Sequence, residues 1–222
     1  MEKHLVAELD ALKTLLLTMA GEVESQITRA IRSVIERDSA LAEAVIADDS
    51  VVDEHEIEVD HRVVELVVRD RPMARDLRLA FAAIKIAPCL ERVADHAVNI
   101  SEQALVLNRV PPLKPFVTMP RMAETAMGMV RDAIAAFLHG DAAAAREVIA
   151  RDDSVDAMHE EIFRELLTYM MEDPRTIPRA LALLLIARSL ERVADQGTNI
   201  AEQVVYLVEA RDIRHRHGEG SA

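Results

Sequence analysis

The chain has 222 residues, half of them hydrophobic and only 3% aromatic, with six glycines and eight prolines. Its formal charge of −13 argues against a nucleic-acid partner, because phosphate backbones are held by clustered Lys and Arg. A single cysteine, Cys89, excludes an internal disulfide framework and suits a reducing cytoplasm.

Ala, Leu, Val, Arg and Glu dominate, which favours long helices. The opening residues Met1-Glu2-Lys3-His4 run straight into an amphipathic pattern with no signal-like apolar core. Leu5, Leu9, Leu12, Leu16 and Met19 recur every three or four residues, predicting a helix over 3–36 with one buried stripe. Asp38 is placed as the N-cap of a second helix that runs from Ser39 to just before Pro72. A third helix is expected over 75–108, kinked at Pro88, because proline removes a backbone donor and crowds the preceding turn. Residues 109–118 (RVPPLKPFVT) hold three prolines and read as a linker. The same order then returns: helices over 120–138, from Gly140–Asp141 to before Pro174, and over 177–211. The tail from His215 (HRHGEGSA) reads as a frayed end. The most apolar stretch, Leu181 to Ala187, is far shorter than the roughly 20 residues that cross a bilayer, so membrane contact is expected only peripherally, through a partner.

The chain repeats itself. Residues 90–103 read LERVADHAVNISEQ and residues 190–203 read LERVADQGTNIAEQ, identical at ten of fourteen positions. Upstream the match continues at an offset of 103, pairing Met19 with Met122, Asp38 with Asp141, Asp49 with Asp152 and Asp53 with Asp156. The fold class is therefore all-α, two tandem three-helix bundles, with repeats over 1–108 and 119–212, a linker over 109–118 and a flexible tail over 213–222. Short turns between helices imply antiparallel packing.

Each repeat carries two acid-x-x-x-Asp steps: Asp49/Asp53 and Glu91/Asp95 in the first, Asp152/Asp156 and Glu191/Asp195 in the second. Residues four apart share a helical face at about 5–6 Å between Cβ atoms, and two carboxylates so placed repel each other. A hard multivalent cation relieves that repulsion, carboxylate oxygens being its natural ligands. If the second and third helices of a repeat are neighbours, each four-acid set converges on one site. The competing reading is a solvated acidic face neutralised locally by Arg92 and Arg192. Asn99 and Glu102, with Asn199 and Glu202, continue the third-helix stripe.

The acid-x-x-His steps Glu58/His61 and Asp156/His159 are those of di-iron bundles, but they do not align between repeats, since His159 stands opposite Glu56 and His61 opposite Arg164. His55, His96 and His139 are singletons, and His96 becomes Gln196 in the second repeat. Cys89 is expected to be buried and inert. No nucleophile constellation and no glycine-rich phosphate loop appear, so no catalytic residue and no organic cofactor are assigned.

The doubled LERVAD…NI.EQ block, the four acid-x-x-x-Asp steps and the turn Pro72-Met-Ala-Arg75-Asp76-Leu77-Arg78 together resemble the PhoU family, the accessory regulators of phosphate-specific transport. The likeness runs from about Leu5 to Leu207; the second repeat departs from it at Pro174-Arg-Thr-Ile-Pro178-Arg179. The resemblance implies pseudo-twofold symmetry, and multinuclear clusters of iron, zinc or nickel held by Asp49, Asp53, Glu91, Asp95, Asp152, Asp156, Glu191 and Asp195. It further implies contact with the phosphate ABC transporter's ATPase and a sensor histidine kinase, repression of the phosphate-starvation response when phosphate is plentiful, and a homodimer. A carboxylate-bridged di-iron oxidase and a metal-free helical scaffold are the alternatives.

Overall fold

A computed structural model describes residues 2–213; the His215–His217 segment lies outside them. Among the described residues the chain forms eight α-helices and one 3-10 turn, with no strand: α1 (Glu2–Ile35), α2 (Ser39–Ala47), α3 (Ser50–Asp70), α4 (Ala74–Asn108), α5 (Thr118–His139), α6 (Ala142–Ile149), α7 (Asp152–Glu172) and α8 (Ile177–Glu209). The turn, Pro174–Thr176, precedes α8.

The first and third helices of each repeat lie close to their expected places. The second does not run as one. It breaks at Asp48–Asp49 into α2 and α3, and at Ala150–Arg151 into α6 and α7. Periodicity continues through both breaks, so they leave little mark in the sequence. What anchors each is a contact with the preceding long helix. In the first repeat Arg29 Nη1 on α1 pairs with Asp48 Oδ2 at 2.7 Å, and Gln26 Nε2 donates to the Asp48 carbonyl at 3.2 Å. In the second, Arg151 Nη2 pairs with Asp132 Oδ2 on α5, also at 2.7 Å. The two ion pairs occupy equivalent positions with their charges exchanged.

The first short helix starts at its expected cap, Asp38, and the second at that residue's repeat partner, Asp141. The Asp38 carboxylate accepts from the Leu41 N–H at 3.0 Å, and that of Asp141 from Ala143 and Ala144, satisfying donors that a first helical turn leaves unpaired. Just before each cap the chain turns through a left-handed residue, Gly140 (φ 65°) in the second repeat and Arg37 (φ 57°) in the first. Glycine takes that conformation freely. Arg37 is tied down instead, its guanidinium donating to the Asn108 carbonyl at 3.0 Å.

Counting each broken helix as one rod, α1, α2–α3 and α4 make the first bundle, and α5, α6–α7 and α8 the second. The bundles join along α4 against α8 and, beside it, α1 against α5. The buried residues form one continuous core, from Leu12, Leu16 and Met19 through Ile86, Leu90 and Ile100 to Met122, Ile134 and Ile186. Leu9, Leu12, Leu16 and Met19 are buried as the stripe predicted. α4 continues through Pro88, and Cys89 is buried beside it, its thiol pushed up to about 11 chiefly by that burial. Such a thiol is an inert packing group. Residues 109–117 link the bundles and are fastened to α7 by buried Lys114, which pairs with Glu165, while at the start of α5 the Thr118 hydroxyl donates to Glu161 at 2.8 Å. No helix among the described residues is long and apolar enough to cross a membrane.

Candidate functional site

The helix breaks determine where the acids go. In the first repeat the break puts Asp49 at the start of α3, with helical φ and ψ of −59° and −44°, so Asp53 follows on the same face one turn later. α3 packs along α4, which carries Glu91 and Asp95. The four carboxylates share one electrostatic neighbourhood. Glu91 is half-buried and its carboxyl is pushed up to about 7, by desolvation first and then by Asp95, Glu56 and Asp53, with Arg92 opposing. Asp49 is raised by its own desolvation, then by Asp53 and Asp95. These shifts mark a cluster short of positive charge, since burial and like charge both disfavour the ionised form.

Glu56 also belongs here, though the acid-x-x-x-Asp pattern misses it. Its carboxyl is raised by desolvation, then by Asp60 and Asp53. It lies three residues after Asp53, on the same face of α3, and that spacing was the available signal.

The second repeat is arranged differently in detail. Asp152 is the first residue of α7 and is half-buried. Its carboxyl is raised by desolvation, then by Asp195 and Asp156, while the Thr198 hydroxyl of α8 donates to Asp152 Oδ1 at 3.3 Å and lowers it. Asp195 already has a countercharge, Arg192 Nη1 at 3.0 Å. Glu191 is half-buried on α8, one turn before Asp195. His159 takes the place of Glu56, so one acid of the first cluster has no counterpart.

The α3–α4 face sets Asp49, Asp53, Glu91 and Asp95 within electrostatic reach of one another, and the α7–α8 face does so for Asp152, Asp156 and Asp195. Among the described residues, no three His, Cys, Asp or Glu side chains stand close enough to share one ion. The donors suit hard cations in type and charge, and the carboxylates of one face would have to turn inward to share one. Asn99 departs from the stripe drawn through it, lining a cavity on the α4–α8 seam with His96. Of the first repeat's α3 histidines, His61 is exposed and His55 is engaged with the Val51 carbonyl at 2.7 Å.

Fold and site together define a class: an all-helical chain that doubles a three-helix bundle and presents one carboxylate-rich seam on each half. The PhoU domain model matches residues 16–104 and again residues 119–204. The chain is 38% identical over 213 residues to a phosphate-specific transport system accessory protein PhoU homolog of Aquifex aeolicus, covering 96% of both chains. It is 37% identical to the crystal structure of PhoU from Pseudomonas aeruginosa, with a TM-score of 0.87 over 92% of this chain and 99% of that one. The phosphate transport system regulatory protein PhoU from Streptococcus pneumoniae, at 24% identity and a TM-score of 0.86, shares the fold. This chain belongs to the PhoU family.

Proposed function

We propose that this protein is the accessory regulator of a phosphate-specific transport system and holds the phosphate-starvation response off when phosphate is plentiful. The observation that carries the reading is similarity over almost the whole chain, at 38% identity, to a protein named as the accessory protein of such a system. In this reading it is a cytoplasmic homodimer that meets the transporter's ATPase and a sensor histidine kinase at the membrane surface. Iron, zinc, nickel or another divalent cation is held by Asp49, Asp53, Glu91 and Asp95 in one half and by Asp152, Asp156, Glu191 and Asp195 in the other. Bound metal supplies the countercharge that Glu91, Asp49 and Asp152 lack, and stiffens the contact between the second and third helices of each bundle. A regulator that works by contact needs such stiffness more than it needs a reactive group.

The test is deletion of the gene, followed by a reporter of a phosphate-starvation promoter in phosphate-rich medium. The reporter is expected to be on in the deletion strain and off again when the chain is restored; normal repression without the gene sinks the reading. Restoring Glu91→Gln with Asp95→Asn tests the metal component, and elemental analysis of protein purified without chelators reads occupancy directly.

A further inference from the structure

The acidic faces are not the only polar feature of the molecule. On the seam where α4 meets α8, a cavity of about 350 Å³ is lined by His96, Asn99 and Gln103 of α4 and by Leu185, Arg188, Ser189 and Arg192 of α8. Its lining contains two guanidinium groups and no carboxylate, in a chain whose acids outnumber its Lys and Arg by 39 to 26. The other residues of the wall, apart from Leu185, are polar, and Asp95 and Asp195 stand near His96 without lining the cavity.

Arg188 is exposed and makes no ion pair or hydrogen bond among the described residues. Arg192 uses Nη1 on Asp195, and a guanidinium has five N–H donors, so it retains donors beyond that pair. Arginine forks suit tetrahedral oxyanions, which accept two parallel N–H bonds. The Ser189 hydroxyl and the Asn99 and Gln103 amides add neutral donors. His96 Nδ1 is buried with no hydrogen-bond partner among the described residues. At about 30 Å³ per water, the space admits a small anion together with several of its waters.

We propose that this cavity binds a small tetrahedral oxyanion, with inorganic phosphate as the preferred occupant. Arg188 and Arg192 neutralise it and Ser189 donates to it. Hydrogen phosphate carries one O–H that must find an acceptor. The side-chain carbonyls of Asn99 and Gln103 offer one, and sulfate has no such proton to give. The site exists only where the two repeats meet, with three residues from one and four from the other.

Its pseudo-equivalent on the other side of the seam has a different residue set. Exchanging the repeats sets Gln196, Asn199 and Gln203 against Lys85, Pro88, Cys89 and Arg92. Proline replaces one guanidinium, a thiol replaces the hydroxyl, and a lysine stands in place of Leu185. Lys85 Nζ lies 5.5 Å from the centre of the Tyr206 ring, in cation–π range. The two sides of the seam have therefore diverged in the residues they present. The inference needs no metal on the acidic faces and is independent of which partners the protein meets.

Calorimetry on the full chain, stripped with chelator so that no bound metal captures the anion, tests it with inorganic phosphate and with sulfate at matched ionic strength. One phosphate per chain is expected to bind, more tightly than sulfate. Arg188→Gln should weaken phosphate at least tenfold, while Arg164→Gln, removing an exposed guanidinium on α7, leaves the affinity unchanged. Circular dichroism confirms that each variant is folded. No saturable binding of phosphate, binding indifferent to Arg188→Gln, or sulfate bound as tightly as phosphate each overturns the proposal.

Discussion

The two repeats began from one plan and solve its problems differently. The helix break that delivers Asp49 is braced by Arg29 on the long helix and Asp48 at the break; the break that delivers Asp152 is braced by Asp132 and Arg151, the same contact with its charges exchanged. The left-handed turn before the short helix is made by glycine in one half and by a tethered arginine in the other. On the acidic faces, Asp195 has Arg192 beside it and Asp152 has Thr198, whereas no hydrogen bond of either kind to Asp95 or Asp49 is formed among the described residues of the first half. What the duplication preserves is geometry. The chemistry that holds the geometry has been free to change.

The deepest difference lies in how closely the third helix approaches the first. At Gly197 an added Cβ would stand 3.1 Å from the backbone carbon and Cβ of Met129 and from the Val130 nitrogen, so α8 lies almost on the backbone of α5. The equivalent residue of α4 is Ala97, which is buried. Gly197→Ala should therefore destabilise by about 1–3 kcal/mol, the usual cost of overpacking, read as a lowered denaturant midpoint at unchanged m-value. Ala97→Gly should cost about 1 kcal/mol, from helix propensity and a lost contact. If the two substitutions were equally mild, the closer packing of the second bundle would be wrong.

The exchanged ion pair comes next in expected size. Arg29→Asp alone sets two carboxylates against each other at the first break and should cost on the order of 1 kcal/mol, allowing for solvent screening. Adding Asp48→Arg rebuilds the polarity seen in the second repeat and should recover most of that loss. A double-mutant cycle measures the coupling; additive losses would show that the bracing contact does not hold the break.

The smallest effect tests the unequal charging of the two faces. Glu91 has its carboxyl raised to about 7 from an ordinary 4.5, so between those pH values the folded chain binds more protons than the unfolded one. Stability of the metal-free protein must then fall as pH rises from about 4.5 to about 7, because ∂ΔG/∂pH follows protons bound unfolded minus folded. Glu91→Gln should flatten that decline and raise Tm at pH 7.5 by a few degrees at most, on the scale of about 2–4 °C per kcal/mol for a chain of this size. A divalent cation should raise Tm of the parent chain and do less for the variant. An undiminished pH decline in Glu91→Gln would place the raised carboxyl elsewhere.

Much of this was legible in the sequence, for reasons that can be named. A 3.6-residue period in Leu9, Leu12, Leu16 and Met19 forces one buried stripe whatever lies opposite, and Asp38 and Asp141 cap because their own first turns need acceptors. The doubled block at 90–103 and 190–203 identifies duplication without any coordinates, and spacing by four puts Glu91 with Asp95 on any helix. These are properties of a single element and its neighbours in sequence.

Contacts between elements were another matter. The breaks at Asp48–Asp49 and Ala150–Arg151 depend on Arg29 and Asp132, 19 residues earlier, and Glu56 reaches Glu91 because α3 lies along α4. His96 and Asn99 meet Arg188 and Arg192 because α4 and α8 pack across the join of the repeats, some ninety residues apart in the chain. Local periodicity specified which faces were apolar and which were acidic. Which face met which was decided by packing, where the fit between helices selects one of several pairings that the pattern alone allows.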